Sequence, residues 1–211
     1  MNYIRPIHPI FLENIHIPSI GSTIAAYILF ILVITIVSLC IGKYATHKWN
    51  GKKRSTTLVF ILISIAVAIA LICFFGLSAR TIKGIIFCYI LLISSYSDIK
   101  SRKCDDYLSV MLLLAGFIEI DISALPGMFV AGLFTAGIFL FVLIISSTGI
   151  GGADIKIASA SAFLLGFRRG IIGIVAGLLL AIIINTVKQN KKSCFPMIPY
   201  FTAAFIPAYF L

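Results

Sequence analysis

Eight apolar runs divide the chain, at roughly residues 22–42, 57–76, 82–97, 107–120, 127–146, 155–167, 170–187 and 196–211, with the polar residues gathered between them. About 20 apolar residues cross a bilayer as a helix. In lipid every backbone group has to be paired within its own segment, which makes a helix the default for each run. The pattern predicts an all-α polytopic membrane protein with about eight transmembrane helices. The shorter runs leave a second arrangement open, with six spanning helices and the 107–120 and 155–167 runs re-entrant. Pro126 and Gly127 open one run, and Gly166 to Gly170 divide two others. No soluble domain, linker or internal repeat stands out. Residues 1–211 are expected to form a single integral-membrane domain, with two N-terminal helices over 22–76 and a six-helix core over 82–211.

Composition supports this reading. The 211 residues are 61% hydrophobic and only 11% charged, and the mean hydropathy is +1.13. A soluble domain of this length needs more polar surface. The N-terminal stretch "MNYIRPIHPIFLENIHIPSI" lacks a basic segment followed by an apolar one, so it reads as interfacial or extramembrane and not as a cleaved signal peptide. Five cysteines are scattered with no C-x-x-C pair, which points to small buried hydrophobes and away from zinc or redox chemistry.

The net charge of +10 is a matter of topology, not of nucleic-acid binding, because the basic residues fall in short clusters between apolar runs. With eight helices, one side of the membrane receives Lys43, Lys48, Lys52, Lys53 and Arg54. It also receives Lys100, Arg102, Lys103, Lys156, Lys188, Lys191 and Lys192. The other side receives Arg5, Arg80, Lys83, Arg168 and Arg169. The positive-inside rule places the richer side in the cytoplasm and both termini outside. The basic loop "GKYATHKWNGKKRST" then reads as a cytoplasmic anchor, and a contact with anionic lipid uses the same physics.

Against this background the seven acids can be taken one at a time. Glu13 lies in the N-terminal segment. Glu119 and Asp121 fall in an outward loop and Asp105 and Asp106 in an inward one, where solvation is expected. Asp98 closes the run "IIFCYILLISSYSD", and Asp154 opens "IKIASASAFLLGF". Topology puts both at the cytoplasmic end of their helices. A carboxylate near lipid is costly unless it is paired or hydrated, so such acids are functional candidates.

Two carboxylates close together share a proton, because like charges a few ångströms apart resist joint ionisation. The ionised member then activates water and the protonated member polarises a peptide carbonyl, which is aspartic-protease chemistry. Ahead of Asp154, Gly149, Gly151 and Gly152 allow close backbone approach and leave room for a peptide. Two other readings stand beside this one at the level of the residues. Glycines before a helix often form only a loop, and an acid pair with broken helices also suits a proton or ion pathway in a transporter.

At these residues the chain resembles the type IV prepilin peptidases, a family of membrane aspartyl proteases. Three blocks carry the resemblance: "SDIKSRKCDD" (97–106), "GIGGADIKIA" (149–158) and "IPYFTAAFIPAYF" (198–210). They match the family's aspartate followed by a basic stretch and Ile-Pro-Asn, its Gly-x-Gly-Asp followed by a hydrophobe and lysine, and its C-terminal helix with Pro-Phe-Gly-Pro-Phe. The resemblance spans about residues 57–211. It implies that Asp98 and Asp154 are the two catalytic aspartates. Gly151, Gly152 and Ala153 fall at the Gly-x-Gly positions, and Lys156 matches the following lysine.

It further implies a substrate, a prepilin or pseudopilin whose short basic leader is cut from an apolar helix. The site would face the cytoplasm from the inner membrane, with no metal or other cofactor. Departures from the family pattern are Ala153 in place of a glycine, Cys104, Asp105 and Asp106 in place of Ile-Pro-Asn, and Thr202 and Ala203 in place of Gly-Pro. The methyl of Ala153 is acceptable if its backbone φ is negative. Larger members carry a zinc-binding cytoplasmic domain, linked to N-methylation, between their first two helices. Here that place holds only the cysteine-free 43–56 loop, so neither zinc nor methyl transfer is expected. A catalytically impaired relative that binds pilin-like helices is the remaining alternative.

Overall fold

The computed structural model describes residues 20–48, 53–145, 151–187 and 196–211. All eight apolar runs are helical: α1 (Ile20–Lys48), α2 (Lys53–Phe75), α3 (Ala79–Ser101), α4 (Asp106–Gly116), α5 (Leu125–Ile145), α6 (Gly152–Leu165), α7 (Phe167–Val187) and α8 (Ile198–Ala208). A single 3-10 turn, Ile122–Ala124, leads into α5, and the described residues contain no strand. Five helices, α1, α2, α3, α5 and α7, are long and apolar enough to cross a membrane. At 1.5 Å per residue, the 11 residues of α4 and of α8 and the 14 of α6 span only about 16 and 21 Å.

Burial is uneven among the helices, and this positions the site. The long helices α1, α2, α5 and α7 leave most of their residues outside the core, as suits a lipid-facing surface. Short α6 is enclosed on nearly every side, with Ile155, Ile157, Ala158 and the whole of Ala160–Leu165 buried. A helix that is apolar all round belongs inside a bundle, and the small residues Ala158, Ala160, Ser161 and Ala162 let neighbours approach it. Packed with it in one core are Phe87 and Leu91 of α3, Leu108 and Leu112 of α4, Phe139 of α5, and Ile198, Phe201 and Phe205 of α8.

Helix α7 joins this core through a stripe of small residues, Gly170, Gly173, Gly177 and Ala181, all buried. A Cβ on Gly177 would lie 2.6 Å from the Phe201 ring, and one on Gly170 3.0 Å from the Ala162 backbone. The chain passes from α6 to α7 through Gly166 alone, whose φ of +80° closes the turn in a conformation that side-chain-bearing residues rarely adopt. Helices α1 and α3 are joined by polar contacts, since the Tyr89 hydroxyl lies 2.6 Å from Ser38 Oγ and donates to the Ile34 carbonyl at 2.9 Å.

Because successive helices run in opposite directions, the ends of α3 and α7 and the starts of α4, α6 and α8 share one face of the bundle. Of the cysteines, only Cys88 is buried among the described residues. Cys40 and Cys73 are exposed and Cys104 is intermediate, which corrects the expectation of uniformly buried thiols. Cys194 and Glu13 lie outside the described residues.

Candidate active site

Asp98 lies in the last turn of α3 and is nearly buried. The helix ends just beyond it, where Arg102 takes a left-handed conformation (φ 52°) and its N–H donates to the Asp98 carbonyl at 3.0 Å. The loop that follows is pinned back on the helix end, because the Ser97 and Ser101 hydroxyls both donate to the Lys103 carbonyl, at 2.6 and 3.0 Å. The Asp98 side chain accepts from the backbone N–H of Ile198 at 3.1 Å. Ile198 opens α8, and the first N–H groups of a helix have no partner within it. Such an end favours an anion, so α8 is docked by its N-terminus on the α3 carboxylate.

Asp154 lies in the first turn of α6, partly buried. Its Oδ2 accepts from the Gly151 N–H at 3.3 Å. A Cβ on Gly151 would stand 3.1 Å from that same oxygen, so glycine gives the carboxylate room to fold back onto its own helix start. Gly152 has open space where a Cβ would be. Gly149 lies outside the described residues. Ala153 is helical, and the described non-glycine residues with positive φ are Arg102 and Glu119. Its methyl therefore costs nothing in backbone strain. Ala153→Gly is expected to leave any activity unchanged and to lower stability by about 0.5–1 kcal/mol, because glycine loses more freedom in a helix. An activity assay paired with thermal unfolding checks this, and a gain in activity would show that the methyl obstructs the site.

The two carboxylates come from different helices and meet within electrostatic range of each other. Each is held through Oδ2 by a backbone N–H, and the Oδ1 of each accepts no hydrogen bond among the described residues. Cys104 lies within electrostatic range of both and so marks the space beside them. Burial, with the negative charges of Asp105, Asp98 and Asp154 added, pushes its thiol up to about 11, against a favourable contact with the Ser94 side chain. At pH 8 roughly one Cys104 in a thousand is then a thiolate. Its alkylation by iodoacetamide, followed by peptide mass spectrometry, is expected to be at least a hundredfold slower than that of a free thiol. A rate like that of free cysteine would show that the loop does not enclose it.

The neighbouring charges carry partners that the sequence reading did not foresee. Asp105 and Asp106 are solvent-accessible, as expected of a loop, and both are also paired across the bundle end. Lys48 of α1 lies 2.5 Å from Asp105, and Lys156 of α6 lies 2.7 Å from Asp106. The family-type lysine thus bonds to Asp106 and to neither candidate catalytic acid. These pairs offset the two extra negative charges, and together with the serine clasp they fix a loop that has no proline. At the other end Glu119 is within 3.5 Å of Arg80, and Asp121 caps the 3-10 turn by accepting from the Ser123 N–H at 3.0 Å.

The pattern along the chain did not reveal the Ile198 N–H or the Lys48–Asp105 pair, which join residues 100 and 57 positions apart. Pro199, just inside the α8 start, was the only local signal, since proline at the first helical positions marks an N-terminus.

Residues 85–186 match the type IV leader peptidase family. This is the family that the two aspartate blocks resemble, and both Asp98 and Asp154 lie inside the matched segment. The match points to an aspartic-type peptidase set among apolar helices. Helices α1, α2 and α8 lie outside the match, so the group that holds Asp98 comes from beyond it. No curated protein and no solved structure shows a significant match to the chain.

Proposed function

We propose that this protein is a membrane aspartic endopeptidase that removes the basic leader of a prepilin or pseudopilin at the membrane boundary. The observation that carries the proposal is that Asp98 and Asp154 lie within electrostatic range at one end of the bundle, each with Oδ2 accepting from a backbone N–H and Oδ1 accepting no hydrogen bond among the described residues. In this reading the pair shares one proton. The ionised carboxylate takes a proton from water, whose oxygen attacks the scissile carbonyl carbon. The protonated carboxyl donates to the carbonyl oxygen, giving a tetrahedral diol. As the diol collapses, the carboxyl that gained the water proton passes it to the departing amine, the other carboxylate takes a proton from a diol hydroxyl, and the peptide C–N bond breaks. General acid–base assistance of this kind contributes about 10²–10⁴-fold to a rate.

In the same reading the chain is one integral domain of the inner membrane. Its eight helices run between the two bundle ends, with α6 and α8 shielded among the others and α4 exposed along one side. The site faces the cytoplasm, because Lys43, Lys48, Lys100, Arg102, Lys103 and Lys156 share its end of the bundle. The substrate's leader approaches from that side while its apolar helix stays in the bilayer. No metal takes part. Co-expression with a prepilin tests the proposal. Leader removal is read as a mobility shift on a gel, and failure on every pilin-like substrate tried, with the protein folded in the membrane, would refute it.

A further inference from the structure

The end of the bundle opposite the acids holds a cavity of about 450 Å³ lined by three cations, Arg80 and Lys83 from the start of α3 and Arg169 from the start of α7. Lys83 is half-buried and donates to the Gly116 carbonyl at 2.9 Å. Arg80 and Arg169 both stand within electrostatic range of its ammonium, as does Glu119. Two acids line the cavity, and both are engaged: Glu119 beside Arg80, and Asp121 on the Ser123 N–H. Arg169 is exposed and has no ion-pair or hydrogen-bond partner among the described residues. Two guanidinium charges act on one half-buried ammonium, and Glu119, already paired with Arg80, offsets only part of them, so an anion entering the cavity would be favoured.

The walls are apolar on the side facing the bundle interior, where Met128, Leu164 and Leu165 line them. The α7 helix also begins here, at Phe167, so its unpaired first N–H groups add to the positive field. From Arg80 to Asp98 the helix α3 rises about 27 Å, close to the roughly 30 Å thickness of a bilayer's hydrocarbon core. If the acids lie at one membrane boundary, the cavity lies at the level of the head groups of the other leaflet.

We propose that this cavity binds a phosphate group, with Arg80, Lys83 and Arg169 as donors and a phospholipid head group as its source. Arginine forks match phosphate geometry and the lysine adds a point charge, while the apolar wall accommodates the glycerol and the first part of an acyl chain. Soluble phosphate esters present the same chemistry, so the test separates the two sources.

Detergent-purified full-length protein is titrated with phosphatidylglycerol, and retained adducts are counted by native mass spectrometry. Wild type is expected to retain one tightly bound lipid. Arg169→Gln and Lys83→Gln are each expected to weaken it about tenfold, the order expected for one charge-assisted hydrogen bond. Lys43→Gln, at the other end of the bundle, is expected to leave it unchanged. Arg169 is exposed, so its variant reports on binding even if Lys83→Gln fails to fold. Glycerol phosphate at millimolar concentration is expected not to displace the lipid. Displacement by it, lost in Arg169→Gln, would keep the phosphate site and overturn the lipid as its source. Equal retention in wild type and Arg169→Gln, or an equal loss in Lys43→Gln, would overturn the site. Leader cleavage is not the readout, so this result stands whatever the fate of the protease reading.

Discussion

Asp98→Asn and Asp154→Asn are each expected to reduce leader cleavage by about 10³-fold or more while leaving the protein folded. Both changes conserve volume. Asparagine Oδ1 still accepts the Ile198 N–H at position 98 or the Gly151 N–H at position 154, the two bonds that hold the carboxylates. What is lost is the ability to carry a charge or exchange a proton, and general acid–base steps depend on both. Each acid has a separate role in the proposed cycle, so either change alone suffices, and the double variant is expected to be little worse than either single one.

Asp106→Asn is the matched control. It removes the partner of Lys156 at a position where the Asp106 side chain is 75% exposed, and exposed ion pairs contribute little, so cleavage is expected to stay within a few fold of wild type. Initial rates of leader removal from one prepilin, measured in membranes with equal amounts of each variant, decide the matter. A rate within tenfold of wild type for either Asn variant would remove the dyad from the mechanism. Parallel loss in Asp106→Asn would point to general damage at this end of the bundle.

Hydropathy along the chain made the eight helices legible, because in lipid an apolar run has few alternatives to helix. Their lengths were less legible. The 107–120 run became an 11-residue helix because Phe117 and Glu119 turn the chain, the latter with a φ of 51°, and neither residue signals a break in composition. The enclosure of α6 was likewise hidden. A lipid-facing helix and a buried helix are both apolar all round, and only the density of Ala and Ser in "KIASASA" hints at close neighbours.

For the site, Asp98 and Asp154 could be picked out because each acid interrupts an apolar context. The partners that orient them could not. The Ile198 N–H is a backbone group, and the Lys48–Asp105 and Lys156–Asp106 pairs depend on how α1, α4 and α6 converge. Side chains spaced 50 or more residues apart acquire a relation only through packing. The question raised by Ala153 was also one of backbone angle, which its identity does not fix.

Packing between α6 and α7 yields the largest expected effect on stability. Gly170→Val is expected to destabilise the folded protein by about 1–3 kcal/mol, the range for forcing an added side chain into a filled interface. A Cβ at this position would stand 3.0 Å from Ala162 Cα and 3.1 Å from the Ala162 carbonyl oxygen. Backbone atoms of a buried helix cannot swing aside as a side chain can, so α7 has to separate from α6. The one-residue turn at Gly166 limits how far it can go. Gly84→Ala is a graded comparison, since its Cβ would meet only side chains, those of Leu71 and Tyr209 at 2.8 Å. Rotamer changes relieve part of that overlap, and the loss is expected to be smaller. Gly137→Ala has no heavy atom within 4 Å of the new Cβ and is expected to unfold at or slightly above the wild-type temperature, since alanine is the better residue inside a helix. Thermal unfolding of the three variants in one detergent tests the order. If Gly170→Val melts with Gly137→Ala, α6 and α7 are not in the close contact described. Because α6 carries Asp154 and is enclosed by its neighbours, a separation there also displaces one carboxylate relative to Asp98. Gly170→Val is therefore expected to lose leader cleavage at temperatures where it remains folded, which ties the small-residue stripe of α7 to the geometry of the acid pair.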